Sequence, residues 1–183
     1  DIDELYQKLL KFVPKENIDG FYLNIIAMLE QKFPNAKIVM LPQTYNSFVD
    51  DYAYFEKLKA ASKNENIIVV DETQNSDVQQ KIIAGSKLVI GARYHSVVFA
   101  INNQIPFIAL SYEHKVKGLL QKLCFTQRMV EIQDIFEAGK ENLHERSIEC
   151  IRNLLNSMVK PNNDEAKQIV EIGFQNFLEN IKG

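Results

Sequence analysis

The chain has 183 residues, a formal net charge of -3 at pH 7, and 46% hydrophobic and 25% charged residues. This length and composition are ordinary for a soluble globular domain, and the lack of a basic excess or a Lys/Arg-rich block argues against nucleic acid as a partner. Polar residues interrupt every hydrophobic run before it reaches the about 20 residues that a membrane-spanning helix needs, so no membrane span is predicted.

The first part of the chain predicts two helices. Apolar residues recur at helical spacing between residues 3 and 13, and again from Phe21 to Phe33. Gly20 is expected to close the connection between the two helices, and Pro34 ends the second.

Four short runs of β-branched and apolar residues follow, and each predicts a strand buried on both faces. Helical stretches lie between them, near 51 to 62, 76 to 85 and 95 to 103. This alternation predicts a Rossmann-like α/β fold, a parallel sheet with helices on both faces. The predicted strands span residues 37–41, 66–70, 87–90 and 106–110.

The last third of the chain predicts a helix through Val116 and Leu120 and an edge strand around Met129 to Ile132. Two amphipathic helices follow near 140–158 and 163–181, and we expect them to cap one end of the sheet. Since no repeat or interdomain linker is visible, residues 1–183 are predicted to form a single domain.

The two cysteines give a further expectation. Cys124 and Cys150 are far apart, lack CxxC spacing and sit in apolar helical surroundings. This pattern predicts two buried free thiols rather than a disulfide or a metal-ligand pair, as is typical of a reducing cytoplasm.

Ligands of an open parallel sheet bind beyond the carboxyl ends of its strands, where helix N-termini attract anions. An anion at the start of the helix after the third strand would meet the Arg93 guanidinium and the His95 imidazole together, which suits a carboxylate or a phosphate. A surface ion pair and a helix-capping imidazole are the alternative readings. Tyr94 and Tyr112 could stack on a ligand or hydrogen-bond to it, but aromatic residues at strand ends more often pack at the rim, so neither is assigned a role. The polar segments after the four strands are 42–44, 71–73, 91–96 and 111–115.

Charged residues follow the second and fourth strands as well. Lys115 opens a helix, where a cation opposes the macrodipole unless a bound anion or Glu113 compensates it; a solvated lysine is the alternative. The acidic pair at 71–72 is not expected to bind metal, because adjacent strand-end residues point in different directions and no histidine accompanies them. A solvated turn with a helix cap at Asn75 or Ser76 is predicted there instead.

Two segments of the sequence carry a resemblance to a known family. They read LVIGARYHSVVFAI from Leu88 and IPFIALSYEHKVKG from Ile105. In order, they contain a strand ending in Arg-x-His, a small-residue helix, a Pro-led strand, and Ser-Tyr with a Lys-Val pair. In this order and spacing the region resembles the polysaccharide pyruvyl transferases. Weaker matches at 39–43 and 130–134 extend the resemblance to roughly residues 20 to 136.

The resemblance implies both an architecture and a reaction. The chain would be the carboxy-terminal, donor-side half of a two-domain enzyme built like a B-type glycosyltransferase, with an amino-terminal domain as its missing partner. It would transfer a pyruvyl group from phosphoenolpyruvate to hydroxyls of a polysaccharide or a lipid-linked or other glycan-precursor sugar, forming a pyruvate ketal of the cell envelope. No cofactor and no metal are expected, and the location implied is the cytoplasm, with the inner face of the membrane left open.

The same resemblance suggests roles for individual residues. Arg93 is expected to clamp the donor carboxylate or phosphate, and His95 to bind phosphate or act as a general acid. Lys115 is a further expected phosphate contact, and Ser111 and Gln43 are expected to bind substrate. Two other functions stay open, namely the donor domain of a nucleotide-sugar-dependent glycosyltransferase and a non-catalytic module of a surface-polysaccharide system.

Overall fold

In the computed structural model, helices and strands alternate as in an α/β Rossmann-like fold, and the strands pair in parallel. The structure describes residues 15–43, 50–70, 75–112, 114–132 and 142–157. The predicted helices near 3–13 and 163–181 lie outside these ranges. The elements are α1 (Lys15–Lys32), β1 (Ile38–Met40), α2 (Asp51–Ser62), β2 (Ile67–Val69), α3 (Ser76–Ala84), β3 (Val89–Gly91), α4 (Tyr94–Asn102), β4 (Phe107–Ser111), α5 (His114–Lys122), a 3-10 turn (Thr126–Arg128), β5 (Met129–Glu131) and α6 (Asn142–Asn156).

The strands and most helices agree with the sequence predictions to within about two residues, the usual uncertainty of element ends. Helix α1 is the exception, because it begins at Lys15 rather than at Phe21 and runs through Gly20. A glycine inside a helix costs about 1 kcal/mol, and the burial of Phe21 and Ile25 just after it offsets that cost. Among the described helices, none is both long and apolar enough to cross a membrane.

The chain divides into two compact units. Of the described residues, the first unit comprises those up to Gln79 together with those in 132–153, and the second comprises those in 80–131 together with those from Leu154 onward. The first unit holds the two-stranded sheet β1-β2, and the second holds the three-stranded sheet β3-β4-β5, in which β5 is an edge strand as predicted. The assignment of residues 1–183 to a single domain stays a prediction.

The first unit buries one face of its sheet against α1 and α2. Ile26, Leu58 and Ile67 form the core there, and side chains of both helices and both strands pack around them. Val39 and Ile68 are paired in register and point to the opposite face, where they are 45% and 46% exposed. The prediction that these two strands are buried on both faces is therefore wrong for the described residues.

The second unit is organised around β4, whose five residues are all buried. Helix α4 packs on β3 and β4, and α5 packs on β4. Each helix turns an apolar stripe inward at helical spacing. The buried residues are Val97, Phe99, Ala100 and Ile101 in α4, and Val116 and Leu120 in α5.

Polar side chains fix the starts of two helices. The Asp50 carboxylate caps α2 by accepting hydrogen bonds from the backbone N–H groups of Tyr52 and Ala53, at 3.0 and 3.2 Å. Asn75 Oδ1 accepts from Val78 N at 3.0 Å and caps α3 in the same way. The cap predicted at Asn75 is thus confirmed, whereas the acidic pair before it lies outside the described residues.

Both cysteines are free, as predicted, but they are exposed rather than buried. Cys124 follows α5 in the left-handed conformation, with φ at 55°, while its neighbours Leu123 and Phe125 occupy the buried positions. On α6 the apolar stripe consists of Ile151 and Leu155, which leaves Cys150 on the outer side. The apolar surroundings in the sequence therefore misled the prediction, because the residues adjacent to each cysteine take the core positions.

Candidate functional site

The candidate site lies at the carboxyl ends of β3 and β4, which are neighbours in the sheet of the second unit. Gly91 ends β3 and pairs with Ala109 of β4. Arg93 and His95 follow β3, whereas Ser111 and Tyr112 come at the end of β4. Because the two strands run in parallel, the residues that follow them emerge at the same edge of the sheet.

Gly91 permits the tight passage from β3 into α4. A Cβ atom at this buried position would collide with Ser96 Oγ and would lie 3.2 Å from Ser96 Cβ and 3.3 Å from Val97 Cγ2. Ser96 Oγ in turn donates a hydrogen bond to the Arg93 carbonyl oxygen at 2.6 Å. The first turn of α4 therefore sits directly against the end of β3, which fixes the backbone of Arg93.

Arg93 is the N-cap residue of α4 and links the two strand ends. Its backbone is extended, with φ at -97° and ψ at 144°, and its side chain makes no capping hydrogen bond to the helix. The guanidinium Nη1 instead donates a hydrogen bond to the Tyr112 hydroxyl oxygen at 3.1 Å. This contact directs the positive charge of Arg93 toward the end of β4.

His95 is the second residue of α4, and its side chain is exposed. Its ring meets the Tyr94 ring edge-on at a centroid distance of 5.8 Å and is tilted against the Phe99 ring at 6.1 Å. These two contacts limit the orientations that the imidazole can adopt while leaving it accessible to a ligand.

Ser111 and Lys115 lie on the β4 side of the same edge. Ser111 is the last residue of β4 and is only 4% exposed. Lys115 is exposed in the first turn of α5, and within the described part of the chain its ammonium group makes no hydrogen bond or ion pair. Lys117, two residues further along α5, is paired with Glu131 at 2.8 Å. Glu113, the alternative compensation for Lys115, lies outside the described residues.

Gln43 belongs to the first unit, where it follows β1. Its backbone N–H donates a hydrogen bond to Asp51 Oδ2 at 3.1 Å. Its side-chain Oε1 is buried and accepts no hydrogen bond from any residue that the structure describes. Most buried amide oxygens in native proteins accept a hydrogen bond from protein or from ordered water.

Arg128 is a cation of the second unit that sits at the opposite edge of the sheet, just before β5 begins. Its guanidinium lies over the rings of Phe107 and Phe125, at 5.5 and 5.8 Å from their centroids. Burial lowers the pKa of Arg128 from the ordinary value of an arginine, which still leaves it positively charged near neutral pH. Its surroundings are those of a packed structural cation rather than of a ligand site.

Sequence reasoning missed the part that Tyr112 plays. The sequence assigns no role to Tyr112, yet its hydroxyl oxygen accepts a hydrogen bond from the Arg93 guanidinium. The available signal was positional, since Tyr112 follows one strand and Arg93 follows the adjacent strand.

Metal binding needs a cluster of ligand side chains. Among the described residues, no group of three or more His, Cys, Asp or Glu side chains is placed to hold a metal ion.

Comparison with known proteins connects this edge of the sheet to a family. The family model described as polysaccharide pyruvyl transferase matches residues 18–114, which include Arg93, His95, Ser111 and Gln43. The amylovoran biosynthesis protein AmsJ of Erwinia amylovora is 29% identical to this chain over 77 residues, which cover 42% of this chain and 18% of that protein. No solved structure matches the chain. Because the family match extends over more than half of its residues, the chain belongs to the polysaccharide pyruvyl transferase family.

Proposed function

We propose that this chain supplies the donor-binding half of a pyruvyl transferase that acts on a polysaccharide or a glycan-precursor sugar. The donor is phosphoenolpyruvate, and the products are a pyruvate ketal on two sugar hydroxyls and inorganic phosphate. Membership of the family supports transfer of a pyruvyl group. The name of the relative AmsJ, a protein of amylovoran biosynthesis, is consistent with a polysaccharide acceptor.

The chemistry sets the groups that such a site needs. Protonation of the donor methylene carbon makes the adjacent carbon electrophilic, and a sugar hydroxyl then adds to it and loses its proton. Departure of phosphate, which takes up a proton as it leaves, regenerates an electrophilic carbon. The second hydroxyl attacks this carbon and loses its proton, which closes the ketal. The site therefore needs cations for the carboxylate and phosphate and a group that delivers a proton.

The observation that carries the proposal is the placement of Arg93 at the carboxyl edge of the sheet. Its guanidinium is held 3.1 Å from the Tyr112 hydroxyl oxygen, and the exposed imidazole of His95 follows in the first turn of α4. We assign Arg93 to the donor carboxylate or phosphate, because a guanidinium binds either group with two parallel hydrogen bonds. We assign His95 to the phosphate or to proton delivery.

Lys115 and Ser111 are proposed to complete the donor site of the second unit. Lys115 would contribute a second positive charge to the phosphate, since its ammonium lies in the first turn of α5, where a bound anion offsets the unfavourable interaction with the helix dipole. Ser111 is a hydroxyl donor at the end of β4. The substrate-binding role expected for Gln43, which lies in the first unit, stays a separate prediction. We assign acceptor binding to an amino-terminal domain, as the two-domain architecture implied by the family resemblance suggests.

A calorimetric titration tests the proposal. Phosphoenolpyruvate is titrated into the full chain and into Arg93→Ala, with a nucleotide sugar titrated in parallel. We expect the substitution to weaken phosphoenolpyruvate binding by about 10- to 100-fold, as loss of a charge-assisted hydrogen-bonded contact does. Arg152→Ala is the matched control, because Arg152 is an exposed arginine of α6 that is paired with Glu149; it should leave binding unchanged.

The other results of the same titration contradict the proposal in distinct ways. Binding of the nucleotide sugar alone would favour a glycosyltransferase donor domain. Binding of neither ligand would favour a non-catalytic module and would rule out a donor site formed by this chain by itself. If Arg93→Ala and Arg152→Ala weaken phosphoenolpyruvate binding equally, only the net charge of the protein affects binding.

A further inference from the structure

We infer that Tyr112 is a positioning residue that sets the orientation of the Arg93 guanidinium in the donor site. The two residues are 19 positions apart in the sequence and follow neighbouring strands of one sheet. The Tyr112 hydroxyl oxygen accepts the hydrogen bond from Arg93 Nη1 at 3.1 Å, and both side chains are half-buried. The inference rests on the proposed donor-binding role of Arg93 and adds a residue to it.

Arg93 is held at both ends of its side chain. At the backbone end, its carbonyl oxygen accepts hydrogen bonds from Ser96 Oγ at 2.6 Å and from Val97 N at 3.4 Å. At the far end, Tyr112 holds the guanidinium. An arginine side chain has many rotamers in solution, and confining them in advance lowers the entropy that is lost when a ligand binds.

The chemical nature of the group that holds the Arg93 guanidinium matters as much as its position. A phenol is neutral, so the hydrogen bond to Tyr112 orients the guanidinium without cancelling its charge. An aspartate or glutamate in the same place would hold the arginine more strongly, but it would compete with the carboxylate and phosphate of the donor. Tyrosine is therefore suited to holding an arginine whose positive charge serves an anionic ligand.

Tyr112→Phe isolates this contact, because it removes only the hydroxyl oxygen and keeps the ring. We expect phosphoenolpyruvate to bind about 3- to 10-fold more weakly to Tyr112→Phe, the effect of losing one hydrogen bond next to a charged group. In the Arg93→Ala background the same substitution should cause no further loss, because Tyr112 acts through Arg93. A loss of equal size in both backgrounds would overturn the inference and would indicate direct contact or a general structural effect.

A measurement without ligand separates this inference from the proposed function. In isotope-labelled protein, the Nη resonances of Arg93, assigned by their absence in Arg93→Ala, report rotation of the guanidinium. We expect hindered rotation in the wild type and faster rotation in Tyr112→Phe than in the wild type, with Tyr52→Phe of α2 as the matched control that changes nothing. Unchanged Arg93 resonances in Tyr112→Phe would overturn the positioning role even if phosphoenolpyruvate binds. Altered resonances with no phosphoenolpyruvate binding to the wild type would uphold the contact and reject the proposed function.

Discussion

Ser96 occupies the space that a side chain at Gly91 would need. A Cβ atom added at Gly91 would lie 3.2 Å from Ser96 Cβ and closer still to Ser96 Oγ, which is engaged with the Arg93 carbonyl oxygen. The approach of α4 to the end of β3 thus depends on a glycine at this position. Its φ is not in the left-handed region, so space rather than backbone conformation is what requires glycine.

Gly91→Ala should destabilise the protein by about 1 to 3 kcal/mol, the usual cost of overpacking a well-packed position. Thermal unfolding followed by circular dichroism measures the change. Gly118→Ala is the matched control, because Gly118 lies inside α5 and an added Cβ atom there would meet nothing within 4 Å among the described residues, apart from its chain neighbours and the backbone of its own helix. That substitution should stabilise the protein by about 0.5 to 1 kcal/mol, since alanine is the better helix former. A fall in stability of the same size for both variants would contradict the steric account.

Lys115→Ala should weaken phosphoenolpyruvate binding by about 3- to 10-fold at low ionic strength. Because the side chain is exposed, added salt should shrink the difference between wild type and variant. Calorimetry at low and high salt measures both effects. Lys122→Ala removes an equally exposed cation from the last turn of the same helix and should leave binding unchanged. Equal effects of the two substitutions would show that only the overall charge of α5 matters.

Both thiols should react with a chromogenic disulfide reagent in the folded protein, without denaturant. The expectation follows from the exposure of Cys124 and Cys150. The single variants Cys124→Ser and Cys150→Ser assign the two reactions, and each variant should lose one of them. If a thiol reacts only after urea is added, that cysteine is buried in the folded protein, as its apolar neighbours in the sequence suggested.

Much of the fold was predictable, because the element pattern depends on local hydrophobic spacing. The five described strands were placed within about two residues, and the cap at Asn75 was anticipated. The exposure of Val39 and Ile68 was not predictable in the same way. Their strands read IVM and IIV, with no polar residue to mark an outward face. Which face is covered depends on where α1 and α2 pack, and this is a tertiary property.

The candidate site was predictable in its composition but not in its contacts. The rule that ligands bind beyond the carboxyl ends of parallel strands pointed to Arg93, His95 and Lys115. The bond between Arg93 and Tyr112 depends on the register of β3 against β4, which pairs Gly91 with Ala109. The residues next to Arg93 and Tyr112 in the sequence do not reveal that register. The roles assigned to these side chains stay predictions, which the titrations with phosphoenolpyruvate test.

The N-cap residue of α4 is also the residue proposed to bind the donor. Because Arg93 is the N-cap of this helix, fraying of its first turn would displace the guanidinium and the His95 ring together. Occupancy of the site and order of the helix start are then thermodynamically linked, and a bound anion adds to folding stability by an amount that grows with the logarithm of its concentration above Kd. Amide hydrogens in the first turns of α4 would exchange with solvent more slowly in the liganded protein, so the helix itself reports whether the site is filled.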